Sequence, residues 1–126
     1  MTDNNSGKSK PKVLVVDDER VIADTLAIIL NQNGFAATAV YSGTGAIEKA
    51  RSERPDLIIS DVIMEDMNGI EAAIEIRKFL PNCKILLFSG QAATADLLEQ
   101  ARKRGHEFEI LAKPVHPQDL LARIKE

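Results

Sequence analysis

The chain has 126 residues, of which 44% are hydrophobic and 28% are charged, and its formal net charge at pH 7 is -3. This length is sufficient for one domain with a buried core and too short for two. The slight negative charge argues against a general affinity for nucleic acid, and the single cysteine, Cys83, excludes an internal disulfide bond.

The beginning of the chain differs in character from the rest. Residues 1–11 are mostly polar and small, and they lack the apolar stretch of a signal peptide. They are predicted to be a flexible leader, followed by one folded domain over residues 12–126. No apolar run approaches the roughly 18 residues that a membrane span requires. Together these features favour a cytoplasmic protein that does not bind membranes.

Apolar, strand-like runs alternate with helical patterns along the whole domain. Strands are predicted at 13–16, 36–40, 57–60, 85–88 and 109–112, and helices at 20–32, 44–52, 70–79, 93–104 and 117–125. Such alternation is typical of βαβ units, which build a parallel sheet. The predicted fold is therefore α/β, a flavodoxin-like (βα)5 doubly wound parallel sheet with strand order 2-1-3-4-5.

Apolar spacing also predicts which face of the first helix is buried. Ile22, Leu26, Ile29 and Leu30 follow the i, i+4, i+7, i+8 spacing of one helix face, and Asn33-Gly34 supplies a stop. We therefore expect these four side chains to belong to the core.

Two polar segments invite a ligand-binding interpretation but are predicted to be structural. Residues 42–45 (SGTG) are not followed by the Lys-Ser/Thr pair of a phosphate-binding loop, so they predict a turn with a capping hydroxyl. Residues 102–104 (RKR) are basic, and they precede Gly105. This order is typical of a helix C-terminus whose cations complement the helix dipole.

Four of the predicted strands end in a residue suited to handling a phosphoryl group. The first runs into Asp17 and Asp18, the third into Asp61, the fourth into Ser89 and the fifth into Lys113. The carboxyl ends of parallel strands meet at one edge of a sheet, where ligands of open α/β sheets bind. We therefore predict that these five side chains form one site.

The three carboxylates of this predicted site repel one another. Two unit charges about 4 Å apart at an effective dielectric of about 20 cost about 4 kcal/mol. Mg²⁺ would remove the conflict, because it takes hard oxygen ligands and often completes its shell with phosphate. Asp61, already ionised, can then attack phosphorus as a nucleophile. Asp17 and Asp18 taken alone fit equally well a strand-end turn that caps the next helix.

At this point the chain resembles the receiver domain of two-component response regulators over residues 12–126. The resemblance is carried by Asp17-Asp18-Glu19, by Asp61 with Met64 and Asn68-Gly69, and by Ser89-Gly90 and Lys113-Pro114. These residues follow the corresponding predicted strands at intervals similar to those of the family.

The resemblance implies a role for each site residue. Asp61 would be the phosphoacceptor, and Asp18, Asp61 and the backbone carbonyl of Ile63 would bind Mg²⁺, with Asp17 acting through water. Ser89 and Lys113 would contact the phosphoryl oxygens. A cis peptide is implied between Lys113 and the proline that follows it.

The sequence departs from the family pattern at three positions. Glu65 stands where the family usually has proline, and Ile63 is apolar where many relatives are polar. Ile110 stands where the family often has an aromatic ring that swings during signalling. Phe108 could replace that ring only if the register of the fifth strand shifts.

The predicted function is phosphoacceptance in signal transduction, not substrate turnover. A sensor histidine kinase or histidine phosphotransfer protein would supply the phosphoryl group to Asp61, and the face of helix 4, strand 5 and helix 5 would bind a downstream protein. Two alternatives are a phosphohydrolase that uses an aspartyl phosphate and a binding module that is never phosphorylated. The first needs a general acid or base and a substrate cap, for which the chain has no spare segment. The intact Asp61 and Lys113 make the second less favourable.

Two further residues are predicted to border the path of hydrolytic water. They lie two positions beyond the predicted acceptor and the predicted hydroxyl, and they are Ile63 and Gln91. Ile63 cannot orient water but can shield the phosphoryl group, so we expect a comparatively long-lived acyl phosphate.

Overall fold

The structure is a computed structural model that describes residues 10–90 and 94–125. Its strands are β1 (Lys12–Val16), β2 (Ala36–Val40), β3 (Leu57–Asp61), β4 (Lys84–Ser89) and β5 (Glu109–Ala112). Its helices are α1 (Arg20–Asn31), α2 (Gly43–Glu53), α3 (Gly69–Phe79), α4 (Thr94–Lys103) and α5 (Pro117–Ile124). Residues 1–9 of the predicted leader lie outside the described residues.

The strands form one parallel sheet in the order β2-β1-β3-β4-β5. This topology confirms the predicted flavodoxin-like fold. Val16 at the end of β1 pairs with Ser60 of β3, and Asp61 at the end of β3 pairs with Phe88 of β4. The register therefore brings the carboxyl ends of the three central strands to one edge.

The core lies in two layers, one on each face of the sheet. Side chains of a strand alternate between faces, so Leu14 and Val16 pack toward α2, α3 and α4, whereas Val13 and Val15 pack toward α1 and α5. All four side chains are at most 1% exposed. A central strand covered in this way is a rigid support for the polar residues that follow it.

The predicted buried face of α1 is only half right. Leu26 and Leu30 are buried, but the other core residues of this helix are Ala23 and Ala27. The small alanines let the helix backbone approach the sheet closely, which turns the bulky Ile22 toward the flank, where it is 36% exposed. Ile29 is likewise only partly buried.

Both polar segments have the predicted structural roles. The Ser42 side chain accepts a hydrogen bond from the Gly45 amide at 2.9 Å and caps α2. After α4, Gly105 adopts a φ of 88°, and the His106 amide donates to the Ala101 carbonyl at 2.9 Å. The basic residues thus end a helix, as expected. No helix within the described ranges is both long and apolar enough to cross a membrane.

Candidate functional site

The carboxyl edge of the sheet brings the three predicted carboxylates together. One oxygen each from Asp17, Asp18 and Asp61 lies within 4.8 Å of the others. Asp17 and Asp61 are only 0% and 5% exposed. Ser89 and Lys113 line the same pocket as Asp18 and Asp61. The structure therefore unites all five side chains that the sequence predicted to share a site.

Asp17 has one satisfied and one unsatisfied oxygen. Its Oδ1 accepts a hydrogen bond from the Glu19 amide at 2.9 Å, which forms the strand-end turn that the sequence allowed, but Glu19, the N-cap residue of α1, makes no side-chain capping hydrogen bond. Its buried Oδ2 has no hydrogen-bond partner among the described residues. Burial raises the pKa of Asp17, and the nearby charge of Asp61 raises it further, although the Glu19 amide and Lys113 act in the opposite direction. Such a carboxylate is suited to a cation or an ordered water.

Lys113 is the positive partner of Asp61. Its Nζ lies 3.0 Å from Asp61 Oδ1, and its side chain is 35% exposed. The Lys113 amide donates to the Ser89 carbonyl at 3.1 Å, so β4 and β5 fix the start of the long stem. A Cβ added to Gly90 would lie 2.9 Å from Lys113 Cβ, so the chain approaches the lysine closely here. The bond between Lys113 and Pro114 is cis, as predicted.

The loop between β3 and α3 is held by Asp66, which sequence reasoning missed. The Asp66 carboxylate accepts hydrogen bonds from the Gly43 amide at 3.0 Å, and from the Thr44 amide and hydroxyl, both at 2.8 Å. Burial alone would raise the pKa of Asp66, but these hydrogen bonds outweigh it and lower the pKa to about 2. Its partners lie 22 and 23 residues away, so no local pattern signals the contact.

A second contact restrains the same loop from the other side. The Glu65 amide donates to Asp18 Oδ2 at 3.2 Å. Proline at position 65 would lack this donor. The loop therefore loses the stiffness of the usual proline but gains hydrogen bonds at both Glu65 and Asp66. Ile63, within the loop, is 48% exposed and lines the pocket of Asp61, while Gln91 lies outside the described residues.

Asn68 and Gly69 join this loop to α3. The Asn68 side chain caps the helix by accepting from the Glu71 amide at 2.8 Å. The Gly69 amide donates to the Val62 carbonyl at 2.7 Å. A Cβ at Gly69 would collide with the Asp61 carbonyl oxygen, so only glycine permits this approach. The Asn-Gly pair is thus part of the support for the residue that precedes the loop.

Thr94, the first residue of α4, is a second residue that the sequence analysis missed. It is 2% exposed, it lines the same pocket as Asp61, and its hydroxyl is hydrogen-bonded to the hydroxyl of Ser89. A lone threonine at the start of a predicted helix looks like any capping residue. Only the fold brings it to the carboxyl edge.

The region of the usual aromatic switch holds Ile110. The pairing of β4 with β5 is continuous, with Leu87 opposite Ile110, so β5 contains no bulge that would bring Phe108 into the strand. Phe108 precedes β5, and the Arg77 guanidinium of α3 lies 4.2 Å from the centre of its ring. Phe108 is therefore held against α3 and does not occupy the position of the usual ring.

An apolar groove of about 600 Å³ adjoins the site. It runs between α1 and the connection from β5 to α5. Asp17, Glu19 and Lys113 border it, and its apolar wall includes Val21, Ile22, Leu26, Ile29, Phe88, Pro114, Val115 and Pro117. Val21 is 77% exposed, so the groove presents apolar surface directly beside the carboxylates.

Comparison with known proteins agrees with this geometry. The family model of the response regulator receiver domain matches residues 13–125. The chain is 31% identical over 113 residues to the probable transcriptional regulatory protein TcrX of Mycobacterium tuberculosis, covering 90% of this chain and 47% of that protein. It is 32% identical over 113 residues to the transcriptional regulatory protein CreB of Escherichia coli, covering 90% and 48%. The chain thus spans about half the length of these curated relatives.

Solved structures give the same result for the fold. The chemotaxis protein CheY4 of Vibrio cholerae superimposes with a TM-score of 0.82 at 29% identity, covering 93% of this chain and 98% of that one. A CheY-like receiver domain from Methanospirillum hungatei has a TM-score of 0.83 at 27% identity, covering 93% and 92%. From the family match over nearly the whole domain and the shared fold, the chain belongs to the response regulator receiver domains of two-component systems.

Proposed function

We propose that this domain accepts one phosphoryl group on Asp61 from a phosphohistidine of a sensor histidine kinase or phosphotransfer protein. The observation that carries the proposal is the setting of Asp61. It is a buried carboxylate, 3.0 Å from the Lys113 ammonium and within 4.8 Å of two further carboxylates. Two of the three carboxylates, Asp17 and Asp61, are buried, and like charges held together in this way are costly unless a cation or a charged ligand uses them.

The cluster fits Mg²⁺, the metal that the family implies. The donors are hard carboxylate oxygens, and the buried Asp17 Oδ2, which has no hydrogen-bond partner in the described part of the chain, is suited to a cation or its water. We assign direct binding to Asp18, Asp61 and the Ile63 carbonyl, and water-mediated support to Asp17. Bound Mg²⁺ would neutralise charge on the incoming phosphoryl group.

The transfer itself needs little more than alignment. An ionised Asp61 oxygen forms the new bond to phosphorus while the phosphorus–nitrogen bond of the donor breaks, and the electron pair stays with the departing imidazole nitrogen. No separate base is required, because the carboxylate carries no proton to remove. Lys113 and Ser89 then offer an ammonium and a hydroxyl to the phosphoryl oxygens.

Phosphorylation would act as a switch on the surface. The acyl phosphate carries a charge of about -1.5 to -2 where the Asp61 carboxylate carried -1, and its oxygens attract the Ser89 hydroxyl and the Lys113 ammonium. Moving a two-state equilibrium from mostly off to mostly on takes about 5.5 kcal/mol, and two or three charge-assisted hydrogen bonds of about 1.5–3 kcal/mol each supply that amount. We assign the output to the face of α4, β5 and α5, which would bind a downstream protein.

The first test is phosphorylation by acetyl phosphate with Mg²⁺. Intact mass should increase by one phosphoryl group in the wild type and in Asp119→Asn, which removes an exposed carboxylate of α5. Asp61→Asn should show no increase, and hydroxylamine should release the group because an acyl phosphate is an electrophile. A modification that resists hydroxylamine, or one that persists in Asp61→Asn, would contradict the proposal.

The groove beside α1 supports a protein donor. It adjoins Lys113 and exposes Val21, so an apolar surface of the donor can be buried while its phosphohistidine reaches Asp61. We expect Val21→Asp to slow phosphotransfer from a phosphorylated donor protein about tenfold, since it places a charge against an apolar contact, and to leave the acetyl phosphate reaction unchanged. Asp24→Asn, an exposed change on the same helix, is the control. Equal slowing with both donors would argue against a docking role.

A further inference from the structure

The first turn of α4 touches the proposed phosphoacceptor pocket through Thr94. The hydroxyls of Thr94 and Ser89 are hydrogen-bonded to each other. Thr94 is 2% exposed, whereas most threonine and serine side chains lie at protein surfaces. Its side chain lines the pocket together with Asp61 and Lys113. A buried hydroxyl in this position belongs to the site as much as to the helix.

The hydrogen-bonding capacity of a hydroxyl defines what this pair can do. Each hydroxyl has one hydrogen to donate and two lone pairs to accept with. If Ser89 is to donate to a phosphoryl oxygen on Asp61, its own hydrogen is used there. The contact with Thr94 is then retained only with Thr94 as the donor and Ser89 as the acceptor.

We propose that Thr94 is a positioning residue that donates a hydrogen bond to the Ser89 hydroxyl and so directs the Ser89 hydrogen toward the phosphoryl group. Through the same hydrogen bond, a movement of Ser89 displaces the start of α4. This inference rests on the phosphorylation of Asp61 proposed above. Chained hydrogen bonds polarise one another, so Thr94 also strengthens the contact that Ser89 makes.

The residues at β5 support transmission of the signal to α4 through Thr94. Within the described β5, Ile110 stands where the family often has a swinging aromatic ring, and Phe108, which precedes β5, packs against the Arg77 guanidinium. The contact between Ser89 and Thr94 instead joins the end of β4 directly to the start of α4. A movement of Ser89 is therefore transmitted through a single hydrogen bond to α4, which is part of the proposed output face.

The test compares Thr94→Val, which keeps the shape but loses the hydroxyl, with Thr94→Ser, which keeps the hydroxyl. Each protein is phosphorylated with acetyl phosphate and Mg²⁺, and amide NMR shifts are followed along α4 and around Asp61. In Thr94→Val the ratio of the activated to the resting form of α4 should fall about fivefold, the effect of one hydroxyl hydrogen bond on an equilibrium. Thr94→Ser should restore it, and Thr38→Val in β2 should leave it unchanged.

A double-mutant cycle with Ser89→Ala checks that the two hydroxyls act as one unit. The double variant should lose no more of the α4 response than Ser89→Ala alone, because the effect proposed for Thr94 runs through the Ser89 hydroxyl. Additive losses, or a full α4 response in Thr94→Val, would overturn the inference while leaving phosphorylation of Asp61 intact. A wild type that takes up no phosphoryl group would overturn both. Thr94→Ala serves in the same comparison should Thr94→Val fail to fold.

Discussion

Replacing Gly69 by alanine is expected to destabilise the protein by about 3 kcal/mol, the upper end of the usual cost of overpacking. The added Cβ would collide with the Asp61 carbonyl oxygen and lie 3.0 Å from Ser60 Oγ. The main obstacle is backbone in a central strand, which cannot rotate away as a side chain would. Relief must therefore come from displacing Asp61 or the first turn of α3, and we expect the melting temperature to fall by about 10 °C.

The same displacement should reach the chemistry. The Gly69 amide donates a hydrogen bond to the Val62 carbonyl. Displacing Gly69 from Asp61 should therefore also shift the loop that carries Ile63. At temperatures well below its unfolding transition, the Gly69→Ala variant should be phosphorylated by acetyl phosphate more slowly than the wild type. Mass spectrometry over time measures this rate.

Gly34→Ala is the matched control. Gly34 has a φ of 94°, so alanine there is strained by about 1 kcal/mol, but nothing lies within 4 Å of the added Cβ. The control should lose stability and keep its phosphorylation rate. A Gly69→Ala protein that is as stable as the wild type and equally reactive would show that the contact with the Asp61 carbonyl does not shape the site.

The fold could be predicted from the sequence because each local pattern agrees with the global arrangement. The run at 13–16 is apolar throughout, the spacing of strands and helices is regular, and the predicted boundaries fall within one residue of those observed. Because the carboxyl ends of parallel strands lie at one edge of the sheet, the polar residues that follow four of these runs were expected to meet there. Asp61 and Lys113 were found in this way although they lie 52 residues apart, since a parallel sheet makes their strands end together.

The parts of the site that the sequence did not predict depend on contacts that no periodic sequence pattern indicates. Asp66 binds amides at the start of α2, and Thr94 reaches Ser89 across a connection, so neither contact follows from a repeat or a cap. The error at α1 has another origin. Its pattern contains two overlapping stripes, and periodicity favours the bulky Ile22, whereas packing favours the small Ala23 that lets the helix approach the sheet.

Removing the Lys113 ammonium should separate metal binding from signalling. Its Nζ lies 3.0 Å from Asp61 Oδ1, so it competes with any cation that the carboxylates bind. At about 4 Å and an effective dielectric of about 20 the interaction is worth about 4 kcal/mol, and exposure of the side chain to water reduces this substantially. We expect Lys113→Ala to bind Mg²⁺ about tenfold more tightly, measured as a rise in melting temperature during a Mg²⁺ titration.

The same variant should respond poorly once phosphorylated. The proposed switch needs a cation that moves with the phosphoryl group. Of the two side chains that follow β4 and β5 and are assigned to the phosphoryl oxygens, only Ser89 remains once Lys113 is removed. Amide NMR shifts should then change around Asp61 but spread little to α4 and α5. Lys84→Ala, which removes an exposed lysine at the opposite end of β4, should match the wild type in both measurements. If Lys113→Ala binds Mg²⁺ more weakly, or transmits phosphorylation to α4 and α5 as fully as the wild type, the role assigned to this ammonium is wrong.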